Sequence, residues 1–207
     1  SLSFGQGSQA LPGAPYDTPF LQQYPANTQF QGPPTWQVAL PVQTKGATLF
    51  RAIPHPTKSD VWMIAGGHEG SFKVGTATIT PKGPEAAYLG FVSAKDGKLT
   101  KLLSVGDPNS NSPGSTVLGD VLSLGGGKLL LLYAYTGDLS VPLSATTLVL
   151  NGGGVAIVGF DTTTEQFTWG NSPTVKASGA FLFRGASLTR INSSTVAVSG
   201  LLGSASA

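Results

Sequence analysis

From Thr35 to Gly203 the chain alternates short apolar runs with breaks rich in Gly, Pro, Asn and Asp. No run sustains a 3.6-residue apolar period, so no helix is predicted. Strands are predicted over Thr35–Val42, Gly46–Ala52, Val61–Ala65, Ala77–Thr80, Ala86–Ser93 and Leu99–Val105. A second series covers Val117–Leu124, Lys128–Tyr135, Thr146–Leu150, Val155–Asp161 and Phe167–Trp169. Pro41 cannot donate a ladder hydrogen bond, which confines its strand to an edge or ends it there. Lys95-Asp96-Gly97-Lys98 lies between two apolar runs, and Asp-Gly there marks a hairpin because both residues tolerate positive φ. The arm Ser1–Pro34 shows no strand period, but Tyr16, Phe20, Tyr24 and Phe30 punctuate it. A wholly disordered tail carries fewer aromatics. The arm is therefore expected to dock, on its own body or on a neighbouring subunit.

The order of elements recurs. Gly-x-x-Leu opens a strand at Gly46, Gly119 and Gly185, spaced by roughly 70 residues, and a period of this size signals a repeat architecture. After each opening come a turn and a run of β-forming residues. The third copy, Gly185–Gly203, holds only its first two strands. The expected fold is all-β, with propeller-like repeats of four to five antiparallel strands over residues 35–207; a β-sandwich or barrel is the alternative.

Val61–Gly67 (VWMIAGG), Gly159–Trp169 (GFDTTTEQFTW) and the lead-in Arg184-Gly185-Ala186-Ser187 resemble the Kelch-type β-propeller repeat. That resemblance implies four-stranded blades stacked around an axis. The Gly-Gly doublet stands only in the first copy; Ala134-Tyr135 and Gly200-Leu201 replace it in the others. Propellers usually have four to eight blades, and this chain supplies about three. Three arrangements follow: a piece of a longer propeller, two chains closing one ring, or a sandwich in which the repeat is only an echo. The first residue is Ser1 rather than Met, which reads as a processed or trimmed chain.

Composition narrows the partners. Charged residues are 11% of the 207, well under the roughly 25% of an ordinary soluble domain. Low charge with abundant Ser, Thr, Gly and Asn points to a secreted or cell-surface protein. Net charge is only +2 and the 12 Lys and Arg are scattered, so no nucleic-acid partner is expected. Mean hydropathy is +0.12, and the apolar runs fall far short of the ~20 residues of a membrane helix, so no membrane span is expected. Cys is absent, which removes disulfides, thiolate metal sites and Cys nucleophiles together.

Candidate chemistry is sparse. His68 and Glu69 follow the Gly66-Gly67 doublet, and Asp138 follows Gly137 after the second long apolar run. These three are the candidate ligand-facing loop residues. His-x-x-type zinc sites need three or four ligands, and no third is evident, so neither a metal nor another cofactor is predicted. Glu69 and Asp138 are the one pair that would suit a glycosidase, which needs two carboxylates facing one sugar. The glycine runs Gly125–Gly127 and Gly152–Gly154 open no helix and lack the Lys-Ser/Thr ending of a phosphate loop, so they read as turns. Asn192-Ser193-Ser194 is a glycosylation sequon in a predicted turn. No catalytic residue is assigned. The functional expectation is a non-catalytic extracellular or surface module, binding or structural, that works in an assembly with itself or another protein chain. The alternatives are a propeller-type carbohydrate-active hydrolase, and a filament or capsid subunit with an exchanged arm.

Overall fold

The structure is a computed structural model. It describes residues 17–25, 34–81, 83–106, 114–173 and 181–204, and the side chains of all of these except 181–186 and 201–204. Every regular element among them is a β-strand. Most of the arm expected to dock, residues 1–16 and 26–33, lies outside the described residues.

Two four-stranded antiparallel sheets share one plan. The first holds β3 (Ala47–Pro54), β4 (Val61–His68), β7 (Ala86–Ser93) and β8 (Leu99–Val105), in that spatial order. The second holds β9 (Thr116–Gly125), β10 (Lys128–Tyr135), β13 (Gly154–Asp161) and β14 (Gln166–Asn171), ordered likewise. Each is a meander interrupted once, between its second and third strands, by a small hairpin. These insertions are β5 (Phe72–Val74) with β6 (Ala77–Ile79), and β11 (Leu139–Pro142) with β12 (Thr147–Leu150). Two-stranded layers flank the sheets. One pairs β1 (Phe20–Gln23) with β2 (Trp36–Ala39); the other pairs β15 (Phe181–Arg190) with β16 (Val196–Ser204).

The layers pack in chain order because each sheet is apolar on both faces. Leu21 and Leu40 cover one face of the first sheet at Ile64, Tyr88 and Val92. The other face, with Met63, Ala65, Leu89 and Phe91, meets Leu129, Leu131, Tyr133, Val158 and Phe160 of the second. The far face of the second sheet, Leu130, Leu132 and Val155, meets Leu188 and Val196. The β1–β2 layer is seated at the outer end of this plan. Trp36 donates its indole N–H to Ala94 O at 2.8 Å in the β7–β8 turn. Gly97 of that turn sits at φ 72, where a Cβ would lie 2.8 Å from Trp36. Its glycine is required twice, for conformation and for space.

Three features depart from expectation. Phe20–Gln23 forms a strand inside the arm, although FLQQ shows no alternation; its pairing to β2 supplies what local pattern does not. The insertion strands β5 and β11 were not predicted, because three or four residues are too short to show a period. And the repeat aligns differently from the Gly-x-x-Leu spacing. The first strand of each unit carries a bulge, at Phe50 in β3, Gly119 in β9 and Gly185–Ala186 in β15. Gly119 and Gly185 therefore correspond, but their partner in the first sheet is Phe50, not Gly46, which precedes β3. A bulge inserts an unpaired residue, so structural register and sequence spacing part company there.

Candidate functional site

The bulges set up the most connected polar group described. The residue just past each bulge is Arg51 in β3, Asp120 in β9 and Ser187 in β15. These three meet. Asp120, only 4% exposed, accepts from the Arg51 guanidinium at 3.1 Å, from the Ser187 hydroxyl at 3.0 Å and from the Leu188 and Val121 N–H groups at 2.8 Å each. A buried carboxylate is tolerable when its lone pairs are filled in this way. One carboxylate thus ties the two sheets and the last hairpin together along their first strands. Sequence reading passed over Asp120; the signal was present in its place beside Gly119, but only register brings Arg51 and Ser187 to it.

His68 closes β4 and is buried. Its Nδ1–H donates to Gly70 O at 2.8 Å, and Nε2 accepts from the Ser104 hydroxyl at 2.9 Å. Its ring packs against Phe72 and Tyr88, with centroids 5.5 and 5.9 Å apart. Burial lowers its pKa from the ordinary imidazole value, and the Gly70 hydrogen bond opposes this. The side chain therefore acts as a neutral two-point brace inside the first sheet.

Glu69 is exposed, at the mouth of a cleft of about 150 Å³ lined also by Asp17, Thr48, His68 and Glu85. Glu85 is the carboxylate that sequence reading did not place. Burial pushes its pKa up, and the charge of Glu69 adds to this. Asp138 is in a different place. It lies three residues beyond β10, whereas Glu69 immediately follows β4, so the two do not occupy equivalent positions. Asp138 Oδ1 accepts from Gly152 N at 3.2 Å across the bend that enters β13. Asn192 is exposed in the β15–β16 turn, and its Oδ1 accepts from the Ser194 N–H at 2.9 Å and hydroxyl at 3.0 Å.

A larger recess, about 270 Å³, lies between the insertion hairpins and β8. Among the described residues its lining includes Thr80, Ser104, Ser140 and Thr147, and none of those is charged. Hydroxyls without charge suit a neutral, hydrogen-bonding ligand. Among the described residues no group of three His, Asp or Glu is placed to hold a metal ion, and no helix is long and apolar enough to cross a membrane.

No protein-family model matches the chain, and no curated protein and no solved structure matches it.

Proposed function

We propose that the chain is a non-catalytic, extracellular or surface-exposed module with propeller-like stacked sheets, binding or structural, that works within an assembly. One observation carries this reading. Among the described residues, two complete four-stranded sheets lie between two layers of two strands each, although all follow one stacking scheme. A two-stranded layer is marginal by itself, and an exposed strand edge is a template for another chain. The low charge fits a surface that associates, and the hydroxyl-lined recess fits a neutral partner such as a carbohydrate. Sedimentation velocity over a hundredfold concentration range tests the assembly. A mass that climbs to a multiple of the chain supports it; a monomer throughout overturns it.

A hydrolytic reading is favoured by one specific feature, the raised carboxyl of Glu85 beside Glu69 at a cleft. A carboxyl with a raised pKa next to a second carboxylate is the glycosidase arrangement. Glycan hydrolysis lost in both Glu69→Gln and Glu85→Gln, but kept in Asp138→Asn, would establish it. A chain with no turnover on a glycan panel would exclude it.

A further inference from the structure

We propose that Ser104 is a site of covalent acyl capture, its Oγ taking an acyl group from an activated ester or thioester and keeping it. The site lies within a single chain and is independent of the assembly reading above. Ser104 stands on β8, is half-buried and lines the recess of about 270 Å³. Its hydroxyl is 2.9 Å from His68 Nε2. The direction of that bond is fixed by the other ring nitrogen. Nδ1 is 2.8 Å from Gly70 O, a carbonyl that only accepts, so Nδ1 carries the hydrogen and Nε2 keeps its lone pair. Ser104 therefore donates to the imidazole. A serine proton aimed at an imidazole whose tautomer is held from behind is the arrangement of an activated nucleophile. Burial favours the neutral ring, which is the form that accepts a proton.

The second sheet holds a built-in control. Tyr135 and Ser172 stand there at the places of His68 and Ser104, but the phenol donates, at 3.4 Å, and Ser172 gives its own proton to Val155 O at 2.8 Å. A carbonyl accepts a hydrogen bond without taking up the proton, so Ser172 has no base. At Ser104 the step balances. The bond from Oγ to the acyl carbon forms, and the bond from that carbon to the leaving oxygen or sulfur breaks. The serine proton passes to His68 Nε2 and from there to the leaving group, which departs as a phenol or thiol. Among the described residues the recess lining offers hydroxyls and no charge to a developing oxyanion. The donor must therefore arrive activated, as a thioester or aryl ester, with a neutral acyl group. The new ester persists because its hydrolysis needs a water within hydrogen-bond reach of Nε2. His68 is 1% exposed, with its ring against Phe72 and Tyr88, so the imidazole meets the serine and excludes that water.

The test treats the full chain with p-nitrophenyl acetate, follows p-nitrophenolate release and locates the acetyl group by peptide mass spectrometry. Ser104→Ala, Ser172→Ala and His68→Gln are treated alongside, with circular dichroism to check folding. The expected result is a burst of one equivalent per chain with the acetyl on Ser104. The burst is absent in Ser104→Ala, unchanged in Ser172→Ala and slowed about a hundredfold or more in His68→Gln. If the His68→Gln variant misfolds, acetylation of Ser104 in preference to Ser172 in the native chain decides. Acetyl spread over the lysines, or on Ser172, with none on Ser104 overturns the site. Rapid acetylation of Ser104 in a folded His68→Gln chain overturns the part given to the imidazole. Steady release beyond one equivalent, above that of Ser104→Ala, overturns capture and the non-catalytic reading with it, and leaves the assembly reading standing.

Discussion

The two complete sheets solve one packing problem in opposite ways. At one matched position the first sheet has Gly66 on its second strand facing Tyr88 on its third; the second sheet has Tyr133 facing Ala156. In each case a single phenol fills the same face, and the partner strand is small to admit it. Tyr88 reaches back over Gly66 and donates to Thr48 O at 2.9 Å. Tyr133 is buried with its hydroxyl unpartnered among the described residues. The next positions follow suit. His68 reaches the Ser104 hydroxyl, and Tyr135 at the same place reaches the Ser172 hydroxyl at 3.4 Å. Gly66 is thus half of a size exchange across two strands: Tyr133 stands at its place in the second sheet, where register aligns the Gly-Gly doublet with Tyr133-Ala134 rather than Ala134-Tyr135, and Ala156 on β13 compensates. Volume and face are kept while the residues that supply them move.

The strongest way to break the exchange is Gly66→Ala. A Cβ there would stand 1.9 Å from Thr48 O and 2.9 Å from the Tyr88 hydroxyl, so backbone must shift. A loss of about 3 kcal/mol or more in urea unfolding is expected. A loss under about 1 kcal/mol would mean that β3 and β4 are not seated as described.

Next comes Asp120→Ala, which tests whether the sheets are joined as well as alike. It strips the Arg51 guanidinium of its partner and leaves the Leu188 N–H buried and unsatisfied, for an expected cost of about 2–3 kcal/mol. The variant should also speed amide exchange in β15 more than in β7. Equal effects on the two strands would remove Asp120 from its linking role.

His68 distinguishes the sheets by pH, because Tyr135 replaces it in the second. Its folded pKa lies below the ordinary imidazole value of 6.5, so the unfolded chain binds the proton better. The contribution is fully present above that value and is lost as pH falls below it toward the folded pKa. Melting temperature should therefore drop between pH 7.5 and 5, and His68→Gln should flatten part of that slope. His55, whose pKa is also lowered, by burial and by Lys58, adds a slope of the same sign, and Glu85, whose pKa is raised by burial, opposes it at the acid end. A slope unchanged in His68→Gln would mean that its ring is not buried in solution.

The smallest effects come from the two phenols themselves. Tyr88→Phe loses a hydrogen bond and should cost about 1 kcal/mol. Tyr133→Phe removes a hydroxyl with no partner and should be neutral or slightly stabilising. Reversal of that order would mean that the roles of the two rings are exchanged.

Much of the fold was legible in the chain because local pattern and tertiary environment agree along it. The apolar runs of β4, β7, β10 and β13 are continuous since both faces are buried, and the turns at Gly97 and Gly125–Gly127 need the positive φ that glycine supplies. The candidate site was much less legible. His68 looked like a loop residue because it follows a glycine doublet, yet Gly66 of that doublet leaves room for Tyr88, which packs against the His68 ring. Glu69 and Asp138 looked equivalent because each follows an apolar strand, but the two strands end at matching places and Asp138 lies three residues past its strand where Glu69 lies one.

By itself, then, the sequence determined the strand type, the turns and the recurrence, because these depend on periods of two and on residues that tolerate positive φ. It also determined that little charge is available for chemistry. Only the tertiary structure decided which residues correspond. A bulge in each first strand shifts the register by one residue, and that shift brings Arg51, Asp120 and Ser187 together. It alone paired Glu85 with Glu69 and turned FLQQ into a strand, since pairing depends on what lies across a gap and not on what lies next in the chain.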